Sequence, residues 1–518
     1  YLVALPLSRY LHCEAPSVPD RAFLPHGLVR RWMKSRLFVF SRPNTHLWYS
    51  WFQCKRCTLV CSDKFMEQTY SDHLVTLTGD DPGDPFAIDA AFSDPTFFRV
   101  LEKVRDGVEN ELLGKSFSES GRRTPRTIDI SEMMPSSSAA FRCTRLAGGQ
   151  FGFLRRAALN LEGLCPLDSL TESIYFTSFT DELHVMCWFP RILGSDHCEV
   201  EVRQPEGFDD WVELINLYRA QHPDRPLCAE IRGVIEPLKV RVISKGESIP
   251  YYFHKSLQRA LHGVMREMSC FRLIGRPFCP TDVVDLKSVS RPDDQWFSID
   301  YSAATDGLSW RFSSTIMRLL LARFPEHERE WALRVLGPHE LYYPLKCGGS
   351  RYGGLQRNGQ LMGSILSFPI LCLANLATYL ITMRDQQLGW TDERRLSGVL
   401  VNGDDMVYPA PLEKWDRHVK VASDLGLKMS VGKAYRHRTY LNINSTSVHY
   451  DLWRDSQPFQ IDYLNTGLLF SSEVQKKRGS DSGSEDGIVS AINPLLAGCY
   501  SQKSQRTILS SYLKLHKL

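Results

Sequence analysis

An α+β fold is expected for this chain on three observations. Residues 397–410, SGVLVNGDDMVYPA, read as a β-hairpin; Trp296-Phe-Ser-Ile-Asp300 reads as a short strand ending in a carboxylate; and the segments around them repeat apolar residues at helical spacing. In the hairpin, Val399, Leu400 and Val401 run into Asn402-Gly403, a pair suited to the positive φ angles of a short turn, and Met406-Val407-Tyr408 leads away. Asp404 and Asp405 sit at its tip. Like charges ~4 Å apart cost about 4 kcal/mol at an effective dielectric of ~20, so a cation is expected beside them. Gly-Asp-Asp also occurs in solvated surface turns, and by itself it decides nothing.

The chain has 518 residues, more than one compact core holds, so two or more lobes are expected. Its 43% hydrophobic and 23% charged residues are ordinary for a globular protein, and with a net charge of only +3 any nucleic-acid surface has to be a local groove. The 14 cysteines lack a framework spacing, which favours a reducing compartment. The chain begins at Tyr1 rather than Met, so an upstream segment is expected to be missing, and YLVALPL lacks the basic flank of a signal peptide. Residues 361–383 carry no charge and are long enough to span a bilayer, but Ser364, Ser367, Pro369, Asn375 and Thr378 interrupt them. A buried helix is the better reading.

Residues 1–205 show no internal repeat. Cys54, Cys57 and Cys61 have ligand-like spacing and His46 or His73 would complete a zinc set, yet three cysteines without a clear fourth ligand favour buried free thiols. Residues 114–140 read as a mobile loop, and 211–220 as an amphipathic helix ended by HPDRP. In residues 230–245, Lys239 and Arg241 alternate with Leu238, Val240 and Val242: a strand with one cationic face, with Arg232 and Lys245 nearby. Such a face suits a polyphosphate or a nucleic-acid backbone, and equally suits solvent. Residues 251–268 have a helix period.

After Asp300 come Tyr-Ser-Ala-Ala-Thr-Asp306-Gly307 and a helical stripe of Phe312, Ile316, Leu319, Leu320 and Phe324. Asp306 alone reads as a cap of that helix; Asp300, on a strand end, does not. A Gly-Ser loop then opens the uncharged helix, offering Ser364, Ser367 and Asn375 from its start and first turns. Beyond the hairpin, 415–425 reads as a helix, Lys428 and Lys433 flank a turn, and 440–445 is strand-like. The remainder is loop-rich, with 471–487 mobile and Lys503, Arg506, Lys514 and Lys517 making a basic end.

Two strands ending in carboxylates, Asp300 and the Asp404-Asp405 pair, would meet at one sheet edge. Three carboxylates there would hold two divalent ions ~3.5 to 4 Å apart for an in-line phosphoryl displacement. Mg²⁺ suits oxygen ligands and substrate phosphates. With Lys239 and Arg241 neutralising a triphosphate, the chemistry is nucleotidyl transfer.

The ordered blocks PLKVRVISKG, SIDYSAATDGL, GQLMGSILSFPILCLAN, VNGDD, and GLKMSVGKAY followed by YLNINS resemble viral RNA-dependent RNA polymerases, among them the ourmia-like (botourmiavirus) and narna-like viruses and, more distantly, the levi-like ones. The resemblance covers roughly residues 230–450. It implies a right-hand polymerase of palm, fingers and thumb, with an antiparallel-sheet palm and largely helical surroundings: an N-terminal extension at 1–205 packed on fingers or thumb, fingers at 206–295, palm at 296–450 with a fingers insertion near 325–355, and thumb at 451–518. It implies metal binding by Asp300 and Asp404 with Asp405 assisting, triphosphate binding by Lys239, Arg241 and Lys245, and Lys433 as the general acid for the pyrophosphate leaving group. Asp306 would sense the ribose 2′-hydroxyl with a partner among Ser364, Ser367 and Asn375. The interval from Asp300 to Asp306 is one residue longer than in picornavirus-like polymerases, and Gly363-Ser364 reverses their Ser-Gly order, so that partner stays open.

The implied cofactors are two Mg²⁺ ions with Mn²⁺ as a substitute, and the implied partners are a single-stranded RNA template, nascent RNA, nucleoside triphosphates and a viral ribonucleoprotein. The implied task is replication of a positive-strand RNA virus genome in the host cytoplasm. Mitochondrial relatives differ in the block that reads SFPILCLAN here. A reverse transcriptase of the same palm architecture is the rival enzyme, although that family usually places an aromatic residue and another side chain where this chain has Asn402-Gly403. The rival of another class is a non-catalytic RNA-binding replication protein, which the retained acids and bases do not favour.

Overall fold

The computed structural model describes residues 42–53, 61–112, 135–159, 225–236, 239–346, 348–430, 433–465, 468 and 492–516. In chain order the helices that matter for the site are α1 (Asp63–Thr78), α2 (Pro85–Phe92) and α3 (Pro95–Leu112). Next come strands β1 (Leu227–Glu236) and β2 (Lys239–Gly246), helix α4 (Lys255–Arg266) and strand β3 (Gln295–Ile299). Helices α5 (Ala304–Gly307), α6 (Trp310–Leu320) and α7 (Glu326–Leu336) lead to the strands β4 (His339–Pro344) and β5 (Ser350–Leu355). Helices α8 (Ser367–Met383) and α9 (Asp392–Ser397) precede the hairpin β6 (Leu400–Asn402) and β7 (Asp405–Ala410). The described part closes with α10 (Lys414–Asp424), strands β8 (Tyr435–His437), β9 (Tyr440–Ile443), β10 (Thr446–His449) and β11 (Phe459–Gln460), and helix α11 (Gln502–His516).

The acid-bearing strands share an antiparallel sheet of order β6-β7-β3-β8. Both of its faces are covered: Phe297 and Ile299 face the main core, while Trp296 and Val407 face a second cluster with Leu441, Val448 and Tyr450. Period-two alternation thus serves two cores at once. A second sheet, β2-β1-β4-β5, joins the basic strand to the strands that follow α7, with β1 and β4 parallel.

Local chemistry explains the helix ends. Ser62 Oγ accepts from Phe65 N at the start of α1, and Asp84 from Ala87 N at the start of α2, where Pro85 stands at the first helical position. Ser309 Oγ accepts from Phe312 N and caps α6. Asp306 therefore is not the cap; it lies on the separate short α5. Residues 251–268 divide into a helix at Ser248–Phe253 and α4, with His254 between them.

Helix α8 is the uncharged stretch. Almost every residue from Ser367 to Met383 is buried, the pattern of a helix packed on all sides. Among the described residues no helix is long and apolar enough to cross a membrane. Helix α3 turns Phe97, Val100, Leu101, Val104 and Val108 into the same core that takes α4, α6, α8 and the inner face of β3. Residues 85–112 are therefore part of the core behind the acidic sheet. A buried ion pair, Arg395 on α9 to Asp94 at 2.8 Å, ties the start of α3 to the chain just before the hairpin. The 211–220 helix, most of the 114–140 loop and the 471–487 segment lie outside the described residues, as do Cys54 and Cys57. His73 bonds Tyr343 and His46 Nε2 donates to the Gly498 carbonyl, so both have other partners than a zinc ion.

Candidate active site

The β3–β7 register pairs Ile299 with Met406, which sets Asp300 beside the start of β7, and β6–β7 pairs Asn402 with Asp405. The hairpin loop is therefore Gly403-Asp404. Only Gly403 has positive φ, at +68°, so the turn needs glycine at its first loop position and asks nothing special of Asn402, unlike the Asn-Gly turn expected. A Cβ on Gly403 would come 3.1 Å from the Phe368 ring. The peptide is held on both sides: Gly403 N–H donates to Cys372 Sγ at 3.1 Å, and Asn375 Nδ2 donates to the Gly403 carbonyl at 3.1 Å. Two strand ends and one turn thus bring Asp300, Asp404 and Asp405 to one edge.

Each acid has its own surroundings. Lys433 Nζ lies 3.3 Å from both carboxylate oxygens of Asp300, whose carbonyl accepts from Ser430 N at 2.9 Å. Asp405 Oδ2 accepts from Asn444 N at 3.1 Å, and Asn402 Nδ2 donates to Asn444 Oδ1 at 2.9 Å. Burial, reinforced by the Asp404 and Asp300 charges, pushes the Asp405 carboxyl up to about 7. Burial first and Asp300 second push Asp404 upward, while Lys433 and Arg241 pull it down. Carboxylates raised in this way are short of positive charge, and their hard oxygens suit Mg²⁺ or Mn²⁺. Among the described residues no three acidic, histidine or cysteine side chains already close around one point as a metal cage.

The cationic strand is more mixed than its own alternation suggests. Arg241 is half-buried, lies 3.8 Å from Met362 Sδ and acts on Asp404; Lys239 is exposed at the strand start. Lys245 instead pairs with Glu230 at 2.6 Å, and Arg232 binds the same carboxylate. The β1–β2 register that sets Glu230 opposite Lys245 places an acid on the face expected to be cationic.

Asp306 sits under α1. Thr305 Oγ1 donates to it at 3.1 Å, His73 Nε2 is 3.9 Å away, and burial raises its carboxyl to about 7. Ser364 Oγ donates to the Val335 carbonyl at 2.8 Å, and Ser367 Oγ to the Leu361 carbonyl at 3.0 Å. Both residues are buried, and both hydroxyls donate to backbone carbonyls. Asn375 is wholly buried and bridges Tyr301 and Gly403. Tyr301, Cys372, His418 and Asn444 also shape the site, and sequence reasoning passed over them. Only Tyr301, next to Asp300, had a signal that could have drawn attention.

No protein-family profile matches the chain. It is 27% identical over 500 residues, 90% of its length, to the RNA-dependent RNA polymerase of Ourmia melon virus (isolate Melon/Iran/VE9). The chain is similar to viral RNA-dependent RNA polymerases. A second such polymerase, the RNA-directed RNA polymerase of Saccharomyces 23S RNA narnavirus, is 24% identical over 275 residues, 48% of this chain. The chain spans 52% of the length of the first polymerase and 28% of the second. The crystal structure of the RNA-dependent RNA polymerase of a human picorbirnavirus superposes with a TM-score of 0.41 and 15% identity, covering 56% of this chain and 55% of that one.

Proposed function

We propose that this chain is a template-directed RNA polymerase that copies a positive-strand viral RNA genome by two-metal nucleotidyl transfer. The observation that supports this best is the edge where Asp300, Asp404 and Asp405 meet, with Lys433 beside Asp300 and Arg241 acting on Asp404. In this reading residues 206–295 are the fingers, 296–450 the palm with a fingers insertion near 325–355, and 451–518 the thumb. The substrates are nucleoside triphosphates and a single-stranded RNA template, the product is nascent RNA, and the setting is a viral ribonucleoprotein in the host cytoplasm.

Asp300 and Asp404 would hold two Mg²⁺ ions, with Asp405 assisting and Mn²⁺ able to substitute. Bound there, the ions supply charge to both sides of the in-line displacement at the α-phosphate. Arg241 and Lys239 bind the triphosphate oxygens, and Lys245 joins them when it leaves Glu230. Lys433 Nζ gives its proton to the departing pyrophosphate oxygen, a short swing from Asp300. Asp306 accepts a hydrogen bond from the ribose 2′-hydroxyl, and Ser364, Ser367 and Asn375 set the helix α8 end against which the sugar is selected.

Nucleotide incorporation on single-stranded RNA with Mg²⁺ or Mn²⁺ tests the reading, with the chain compared with its Asp404→Asn variant. Template-dependent product from the parent alone is expected, because the change removes a metal ligand at nearly constant volume. Normal synthesis by the variant sinks the metal assignment, and sustained incorporation of dNTPs in place of NTPs turns the reading to a reverse transcriptase.

A further inference from the structure

Behind the hairpin turn lies a run of buried hydrogen bonds whose direction follows from its chemistry. The Gly403 carbonyl can only accept, so Asn375 offers it Nδ2, at 3.1 Å. Asn375 Oδ1 then faces the Tyr301 hydroxyl at 3.0 Å, and Tyr301 donates. A phenol has one proton, so the 3.1 Å contact between Tyr301 and His418 Nε2 requires an Nε2–H donor. A neutral imidazole has one N–H, so Nδ1 accepts from the Tyr408 hydroxyl at 2.9 Å. His418 and Asn375 have no exposure at all, and burial holds the imidazole neutral, its pKa lowered to about 3. Every proton in the run therefore points one way, from Tyr408 to the peptide of the turn.

Two members of this run matter because of what lies beside them. Tyr301 follows Asp300, and Gly403 precedes Asp404, the two acids whose charges oppose each other. The run joins the side chain of the residue after one acid to the backbone of the residue before the other. We propose that His418, Tyr301 and Asn375 form a positioning clamp that holds the Asp300 and Asp404 strand ends together and orients the Gly403 peptide, with His418 in its Nε2–H tautomer. The clamp is ready before any cation binds, since each member is satisfied within the protein. His418 reaches it from α10, which packs along α8, so the helix after the hairpin braces the turn from behind. The effect on metal uptake rests on the reading above; the direction of the run does not.

The full chain labelled with ¹⁵N-histidine tests the direction, with the His418 signals identified by their loss in His418→Phe. The Nε2–H pattern is expected near neutral pH, and an Nδ1–H tautomer or an imidazolium there overturns the clamp. Tyr301→Phe removes one oxygen and keeps the ring. Its Mn²⁺ affinity, read by electron paramagnetic resonance, is expected to fall about tenfold, the range seen when groups behind metal ligands are cut, with RNA binding unchanged. Unaltered Mn²⁺ affinity in a folded Tyr301→Phe chain also overturns the clamp. Should that variant not fold, Tyr408→Phe, at the far end of the run, carries the same expectation and the same contrary result. A parent that takes up no Mn²⁺ counts against the metal reading instead, and the tautomer still decides the clamp.

Discussion

Asp405 has an unfavourable electrostatic position at the hairpin end. Its carboxyl is raised to about 7 chiefly by burial, then by Asp404 and Asp300, and one backbone N–H from Asn444 compensates only in part. An acid with a folded pKa above its unfolded value binds more protons when folded. Its ionisation therefore removes stability as pH rises from about 4, where the unfolded carboxyl titrates, through about 7. His73, His339 and His418, held neutral by burial, pull the other way below pH ~6.5, where unfolded histidine takes up protons. The Asp405 contribution is isolated by comparing the parent with Asp405→Asn in chelator. The variant's advantage in denaturation midpoint over the parent is expected to widen as pH rises from about 5 to about 7 and to level off by about pH 8. Parallel curves would show that Asp405 ionises normally.

Elements, rather than single residues, hold the acids in register. The hairpin is braced by α8 through Cys372 and Asn375, and α9 just before it is anchored to α3 through Arg395 and Asp94. The Asp94 side chain is 1% exposed and that of Arg395 8% exposed. Asp94 also accepts from Thr96 N and Phe97 N, so it starts α3 as well as pairing Arg395. Asp94→Ala would leave a buried guanidinium without its carboxylate and is expected to cost about 3–5 kcal/mol, measured by urea denaturation. A loss below ~1 kcal/mol would place the pair among those that contribute little.

At the scale of the whole molecule, the N-terminal helices and the acidic sheet share one core. Removing residues 1–112 would expose the pocket left by Phe97, Val100, Leu101, Val104 and Val108 against α4, α6 and α8. The truncated chain is expected to be insoluble or to bind a hydrophobic dye strongly, by sedimentation and fluorescence. A soluble truncation that still folds cooperatively would show that α3 is dispensable.

Short-range pattern was enough to locate the acids, the strand ends that bear them, the buried helix and the glycine turn. Each depends on alternation, helical spacing or a φ preference within a few residues, and these are written locally in the chain. What packing alone decided lies between distant residues. Glu230 neutralises Lys245 because β1 and β2 pair in one register, and Ser364 turns inward because Val335 offers a carbonyl. Ser309 rather than Asp306 caps α6, although both are nearby in sequence, because α5 intervenes as an element of its own. Tyr301 meets Asn375 across 74 positions and His418 across 117, and no local signal names such partners. The sequence by itself therefore determined which local elements carry the acids and the polar groups around them; the tertiary structure decided which of those groups are satisfied elsewhere and what holds the rest in place, because a hydrogen-bond partner is chosen by proximity in space.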